Sequence, residues 1–202
     1  DGHSRTGTIQ SMNGVHILYE ACTNRVWGRG IPRSAMYEAQ WQYAADLAYE
    51  EGMGLCLAWK RTDNLDSFAQ MILDHLGATM FVDKQTGLLT IKLIRDDYVF
   101  EQLPVFTNDS GLLEVEECSV AAGTSLINEI VVSYHSPLTD EDGKVRAHNL
   151  AGIQTAGSIV SSSVDYIGAP TAELAQRLAD RDLNAQALPL RGFKIKVDHR
   201  GW

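Results

Sequence analysis

Carboxylates are the residues of this chain whose spacing comes closest to a catalytic pattern. They cluster at Asp96-Asp97, within Glu114–Glu117 and at Asp140–Asp142. A glycoside hydrolase needs two carboxyl groups opposed across a cleft, one as general acid and one as base or nucleophile. Here the first cluster follows a predicted strand, the second alternates along one, and the third lies in a predicted hairpin turn. Such charges are typical of solvated strand edges and turns, so we predict no catalytic residue.

The histidines and acidic loops show no metal-binding spacing. The six histidines form no HxH, HxxxH or HExxH pattern that would place two ligands on one face. His75 is predicted at the end of a helix, where a protonated ring would interact favourably with the carbonyl groups, and we expect it to be structural. The Asp140–Gly143 loop lacks the ligand spacing of a calcium loop. We therefore predict no metal and no cofactor.

The three cysteines, Cys22, Cys56 and Cys118, are odd in number and widely spaced. That pattern is typical of small hydrophobic side chains and not of a disulfide framework, and no CxxC pair indicates a zinc cluster. We predict three free thiols in a protein that is made in a reducing cytoplasm.

The charge balance argues against a nucleic-acid partner. Seventeen basic and 26 acidic residues give a net charge of −9. Sequence-independent binding of nucleic acid needs a clustered basic surface. Only Arg25, Arg29 and Arg33 lie close together, and we interpret them as a solvated loop with local ion pairs. No apolar run approaches the roughly 20 residues of a membrane-spanning helix.

Hydrophobic periodicity predicts the elements that would position these residues in the first half of the chain. Asn13 can cap a first helix from Val15 to about Thr23. A third helix, 65–76, has an apolar stripe, a cap at Asp63 or Asn64 and a terminating Gly77. The other predicted elements are a helix at 40–51, a strand at 54–59, and a hairpin with strands at 79–83 and 88–94.

The second half is predicted to be mainly antiparallel β structure with one long helix at 171–187. Phe193, Ile195 and Val197 alternate with polar residues, which is typical of a strand with one wet face. Asp142-Gly143 predicts a hairpin turn. The predicted strands are 112–120, 127–134, 145–148, 158–166 and 192–198. The change from helix-rich to strand-rich sequence patterns predicts two domains in an α+β fold. They are a helix-helix-strand-helix-hairpin unit at 1–105 and a β-rich unit at 106–202.

Six segments, in order along nearly the whole chain, resemble one protein family. They are HILYEACTNRVWGRGIP at 16–32, the helix and hairpin at 65–93, LIRDDY at 93–98, INEIVVSYHSP at 127–137, NLAGIQTAGSIVSSSVDY at 149–166 and AELAQRLADRDLNAQALPL at 172–190. The ordered set resembles phage tail tip or tail hub proteins of the lambda tip attachment protein J type, also called host specificity proteins. These are framework segments without a reactive signature, so their order carries the resemblance.

The resemblance implies a structural virion protein without enzymatic activity. Copies of the chain would assemble around the tail axis, as a homotrimer of the full-length protein, and join the tail tube to the distal receptor-binding fibre. The expected partners are further copies and other tail tip and tail tube proteins. The β-rich half would be a partial, barrel-like hub domain. The chain would be a fragment of a longer protein, located in the virion tail of a phage or prophage and made in the bacterial host cytoplasm.

Two other functions remain open at this point. A cell-wall hydrolase module of a tail protein would show a cleft with opposed carboxylates. A carbohydrate- or receptor-binding module would show Trp27, Trp41 and Trp59 along an open groove, whereas their predicted contexts favour core packing for Trp41 and Trp59.

Overall fold

The computed structural model describes residues 8–59, 64–96, 98–103, 105–107, 109, 111–120, 126–186 and 191–198. Over these residues the fold is mixed α+β, as the sequence predicts, and the described strands form no closed barrel. The helices are α1 (Gly14–Thr23), α2 (Glu38–Glu50), α3 (Leu65–Leu76), α4 (Leu150–Ala156) and α5 (Ala172–Gln186). The strands are β1 (Met12–Asn13), β2 (Gly54–Leu55), β3 (Ala78–Val82), β4 (Leu89–Leu93), β5 (Leu112–Val120), β6 (Glu129–Ser136), β7 (Glu141–His148), β8 (Ser161–Asp165) and β9 (Arg191–Val197).

The chain divides into two compact units, each made of several stretches of sequence. The first unit comprises 1–94, 131–146 and 163–179, and the second comprises 95–130, 147–162 and 180–202. The sequence instead predicts two consecutive domains, 1–105 and 106–202, and that division stays a prediction.

Local capping chemistry sets the ends of the helices in the first unit. The side chain of Asn13 accepts a hydrogen bond from the backbone N–H of Val15 at 2.9 Å. Asn64 accepts in the same way from Asp66 at 2.9 Å. Gly77 ends α3 in the left-handed conformation, with a φ of 59°. The predicted bounds and caps of α1 and α3 are confirmed, because each signal acts on groups within a few residues.

Three helices and the β3–β4 hairpin form the core of the first unit. Leu18 of α1, Ile72 of α3 and Ile91 of β4 are fully buried. Trp41 of α2 is also buried, and its indole Nε1 donates to the carbonyl oxygen of Leu89 at 3.0 Å. The predicted core positions of Trp41 and of the α3 stripe are therefore confirmed. The predicted strand at 54–59 shrinks to Gly54–Leu55, because the next N–H, of Cys56, donates to the carbonyl oxygen of Gly168 at 2.9 Å.

A second sheet has the strand order β7-β6-β8. The turn between β6 and β7 lies at 137–140, so the predicted turn at Asp142-Gly143 is wrong. Asp140 adopts a φ of 57°, a left-handed conformation that aspartate tolerates better than most residues. Gly143 lies inside β7, where a Cβ would come within 2.4 Å of the Tyr134 ring. This glycine permits a close approach to an aromatic ring instead of forming a turn.

Helix α4 is missing from the sequence-based prediction. Asn149 caps it by accepting from the N–H of Gly152 at 3.0 Å, and Gly157 ends it with a φ of 69°. The following strand therefore begins at Ser161, later than the predicted 158. The predicted long helix at 171–187 is confirmed as α5, Ala172–Gln186. No helix within the described residues is long and apolar enough to cross a bilayer.

Candidate functional site

The carboxylate clusters occupy solvated positions wherever the structure describes them. Asp142 accepts from His135 at 2.8 Å, and Asp140 lies 3.5 Å from the same ring; both carboxylates are almost fully exposed. Asp96 is exposed as well, and Asp97 lies outside the described residues. Glu114 and Glu117 stand opposite lysines of β9. Within the described parts of the chain, no group of three or more His, Cys, Asp or Glu side chains could hold a metal ion.

His75 is a buried connector within the first unit. Its Nδ1 lies 2.7 Å from the carbonyl oxygen of Met71, and the backbone N–H of Gly168 donates to its Nε2 at 3.0 Å. Tyr166 meets the ring edge to face, with centroids 4.9 Å apart. A carbonyl only accepts and an N–H only donates, so the ring carries its proton on Nδ1 and is neutral. Protonation of Nε2 would break the bond from Gly168, so this ring does not bring the favourable positive charge that a protonated histidine would bring to a helix end.

Another histidine forms a simple pair with a carboxylate. His148 Nε2 lies 2.6 Å from Glu129 Oε2, and the Glu129 side chain is largely buried. An acid–base pair needs a nucleophile or a bound water to carry out hydrolysis. The described contact is a hydrogen bond between the imidazole of His148 and the carboxylate of Glu129. His16 is exposed, while His3 and His199 lie outside the described residues.

The tryptophans pack against other aromatic rings. Trp27 and Trp59 have ring centroids 5.3 Å apart, and Trp59 lies 6.1 Å from Phe68. One groove of the first unit has a volume of about 800 Å³ and is lined mainly by apolar side chains such as Phe68, Met71 and Ile167. Trp27, Trp41 and Trp59 are not part of its described lining. Trp41 lines a different groove, together with Tyr19 and Glu38. The carbohydrate-binding alternative stays a hypothesis.

The cysteines differ in exposure. Cys22 is buried, Cys56 is half-buried and Cys118 is exposed, and all three are free thiols, as predicted. Burial raises the pKa of Cys22 above the ordinary thiol value. It also raises the pKa of Cys56, which is less deeply buried. A raised pKa leaves less thiolate at neutral pH, which makes these two thiols poor nucleophiles.

The arginine trio fits the predicted solvated loop. Arg29 forms an ion pair with Asp66, and Arg25 and Arg33 are exposed. The loop is ordered by Asn24, whose side-chain oxygen accepts from the backbone N–H groups of Val26 at 2.8 Å and Trp27 at 3.2 Å.

An amphipathic β-ribbon is the most unusual surface of the second unit. Strands β5 and β9 pair antiparallel, with Val115 opposite Ile195 and Cys118 opposite Phe193. Residues directly opposite each other in such a pair project to the same face, and alternate residues share it. One face is therefore mainly apolar, with Arg191 at the register position opposite Val120 at its end, and we call it the apolar ribbon face. Its described members are Leu112, Val115, Cys118, Phe193, Ile195 and Val197.

The other face of the ribbon is charged. Glu114 stands opposite Lys196, and Glu117 stands opposite Lys194. Lys194 also forms a 2.9 Å ion pair with Glu116. This face is solvated, which is the ordinary arrangement for the outer face of a sheet.

Several side chains of the apolar ribbon face are exposed among the residues that the structure describes. Val115 is 54 % exposed, Phe193 61 % and Ile195 46 %. The sequence predicts the alternation and the wet face correctly, but it does not predict that the dry face would be open to solvent. Only the pairing of β5 with β9, far apart in sequence, reveals this surface. Apart from the thiol of Cys118, its described members carry only apolar side chains, and this composition suits contact with another apolar surface.

No protein-family model matches this chain, and no curated protein matches it. The resemblance to tail tip proteins stays a prediction from the ordered segments.

Proposed function

We propose that this chain is a structural, non-enzymatic component of a phage or prophage tail tip or hub. Its role is assembly: copies surround the tail axis, as a homotrimer of the full-length protein, and link the tail tube to the distal receptor-binding fibre. The observation that supports an assembly role is the exposure of Val115, Phe193 and Ile195 on the apolar ribbon face. The tail location comes from the ordered segments that resemble tail hub proteins.

An exposed apolar sheet face is costly in a protein that acts alone. A two-stranded sheet is marginally stable in water unless something packs on it. Phe193, Ile195 and Val115 together form an exposed apolar patch on a ribbon of two strands. A partner that covers the patch would stabilise both the ribbon and the complex.

The net charge fits a component that waits in solution before it assembles. A charge of −9 keeps copies apart and soluble at low concentration. The same negative charge suits a tail lumen through which DNA must pass without binding.

Imaging of intact tails tests the proposal. A tag on the full-length protein that carries this chain should place label at the distal end of the tail, at the junction of tube and fibre. Label on the capsid, or particles without the protein, would contradict a tail tip role. The purified chain should release no dye from labelled peptidoglycan above a boiled control, and release would favour the hydrolase instead.

A further inference from the structure

We propose that strand β3 binds an extended, uncharged segment of another tail protein, which adds a third strand to the β3–β4 sheet. The segment would lie along the edge of β3 that faces away from β4, which we call the β3 edge. This inference rests on the proposed assembly role and names the kind of partner and the mode of contact. It concerns the first unit alone.

The hydrogen bonds at the two ends of the hairpin show which groups of β3 point away from β4. At the turn, the N–H of Asp83 donates to the carbonyl oxygen of Leu88 at 2.9 Å. At the other end, the N–H of Ile94 donates to the carbonyl oxygen of Gly77 at 2.8 Å. Bonded and non-bonded pairs alternate along an antiparallel ladder, so every second residue of β3 directs its N–H and carbonyl groups to the β3 edge. These residues are Ala78, Met80 and Val82.

The opposite edge of the same hairpin is closed by the chain itself. Leu89 of β4 stands opposite Val82, so its backbone groups also point out of the hairpin, on the far side. Its carbonyl oxygen accepts from the N–H of Tyr37 at 2.9 Å and from the indole Nε1 of Trp41 at 3.0 Å. On the β3 edge, by contrast, no described residue bonds to the outward backbone groups, and β4 is the only described strand that pairs with β3.

The β3 edge also lacks the features by which proteins discourage strand addition. Strand β7 carries four charged side chains, β9 carries three basic ones, β8 ends in Asp165, and β5 is interrupted by two register shifts. Charges and bulges of this kind keep a further strand away. Strand β3 has the sequence ATMFV, with no charge and no proline, and its register with β4 is unbroken. Among the described edge strands of comparable length, β3 is therefore the best template for another strand.

The chemistry of the β3 edge defines its occupant. Outward donors and acceptors recur about every 7 Å along a strand, and an extended main chain matches that spacing. Phe81 is 45 % exposed on one face of β3, and Val82 is 57 % exposed on the other. An added strand would place its own side chains beside both, so apolar, uncharged residues are favoured on both of its faces.

A second copy of this chain is disfavoured as the occupant. Each copy has a formal charge of −9, so two copies repel one another. Antiparallel pairing of β3 with β3 would relate two copies by a two-fold axis, which does not fit the proposed trimer. We therefore assign the β3 edge to a segment of a different protein.

A model strand tests whether the β3 edge accepts an extended backbone. The probe is a capped peptide of seven alternating threonine and valine residues with two terminal lysines for solubility. Its matched control has the same sequence with N-methyl groups on alternate residues, which removes the N–H donors of one edge. NMR titration of the whole chain should show shifts at Ala78, Met80 and Val82, with affinity about tenfold or more lower for the control. No binding of the unmethylated peptide at millimolar concentration would overturn the proposal.

Two substitutions at one position separate strand addition from ordinary apolar docking. Val82→Pro removes an outward N–H and keeps an apolar side chain, and β4 loses no hydrogen bond. Val82→Thr keeps the N–H and the β-branched shape. Peptide affinity should fall about tenfold or more in Val82→Pro and about threefold or less in Val82→Thr. The reverse order would show that apolar side chains alone hold the peptide and would overturn the added strand.

Hydrogen exchange of the unmodified chain gives a readout that does not depend on any variant. In the free chain, the amides of Met80 and Val82 should exchange faster than those of Thr79 and Phe81, which bond to β4. Addition of the peptide should slow the two fast amides. Equal protection of all four amides in the free chain would show that the chain itself closes the β3 edge, and the proposal would fall.

The remaining outcomes separate this inference from the proposed function. A dimer of the chain that forms at high concentration and is abolished by Val82→Pro would assign the β3 edge to a second copy and overturn the proposal. A tail-tip label without peptide binding would leave the proposed function standing and remove the strand addition. Peptide binding at the β3 edge without a tail-tip label would support the strand addition and remove the tail assignment.

Discussion

Strands β3–β4 and β5–β9 are both two-stranded antiparallel sheets, but among the described residues only the first has large side chains that are fully buried. In the hairpin, Ile91 is 0 % exposed and Leu93 4 % exposed, because helix α2 packs on β4. In the ribbon, Phe193 and Ile195 are about half-exposed. The difference lies in the helix that packs on the hairpin. The hairpin belongs to the core of the first unit, whereas the ribbon presents exposed apolar side chains.

The two sheets also differ in how far apart their paired strands lie in the sequence. A short turn joins β3 to β4, with Gly87 at a φ of 69°. Strands β5 and β9 pair although most of the second half of the chain lies between them. A local hairpin forms at a small cost in loop-closure entropy, whereas a distant pair needs further burial to offset a larger cost. The ribbon is therefore the part of the chain that would gain most from a partner.

The largest effect is expected from a charge in the finished core. Leu73→Asp places an unpaired carboxylate on the buried side of α3 and should cost more than about 3 kcal/mol, enough to unfold most of the first unit. A thermal melt with circular dichroism measures the loss. Ser67→Asp, on an exposed position of the same helix, is the control and should melt like the unmodified chain. An unchanged melt of Leu73→Asp would mean that this side of α3 faces solvent.

A matched pair of truncations tests the comparison between the two sheets directly. Ile91→Ala removes a fully buried side chain and should destabilise by about 2–5 kcal/mol. Ile195→Ala removes a half-exposed one and should cost less than about 1 kcal/mol in dilute solution. Urea unfolding of the two variants gives both values. Equal losses would show that the ribbon is covered within a single chain.

His75 provides a smaller effect that is confined to the first unit. His75→Phe keeps a ring against Tyr166 but leaves the N–H of Gly168 without its acceptor, so a loss of about 1–3 kcal/mol is expected. His16→Phe, at an exposed position of α1, should change the free energy of unfolding far less. A His75→Phe variant as stable as the His16→Phe control would remove the connecting role of His75.

Signals that act over a few residues could be predicted from the sequence. The caps at Asn13 and Asn64 and the left-handed Gly77 were predicted because each depends on its immediate neighbours. The turn at Asp142-Gly143 was predicted wrongly, because the ring of Tyr134 uses Gly143 for a close approach and Asp140 supplies the left-handed residue. The residues next to Gly143 in the sequence do not indicate that an aromatic ring packs against it.

Contacts between distant segments could not be predicted from the sequence. The hydrogen bond from Gly168 to His75 joins residues 93 positions apart, and no periodic pattern in the sequence indicates it. Likewise, alternation in Phe193 and Ile195 predicts a strand with one dry face, but not which element covers that face. Coverage depends on the whole fold, so the candidate surface became visible only once β5 and β9 were seen as a pair.

The smallest effect concerns the turn that makes the β3–β4 hairpin local. Asp83 accepts from the hydroxyl of Thr86 at 2.7 Å and from the N–H of Gln85 at 3.1 Å. These hydrogen bonds, with that from Thr86 the strongest cause, lower the pKa of Asp83 below its ordinary value of 3.8. A carboxylate whose pKa is lowered in the folded state stabilises that state above its unfolded pKa and loses the contribution as the pH falls through the folded pKa. Asp83→Asn can still accept both bonds but cannot titrate. The stability difference between the two proteins should therefore be constant at neutral pH and shift in favour of Asp83→Asn only on acidification below about 4. Urea midpoints measured at a series of pH values give this difference.

The control variant is Thr86→Val, which removes the stronger donor and should reduce the acid-dependent part of the stability difference. An equally large acid-dependent shift in that variant would assign the shift to another carboxylate.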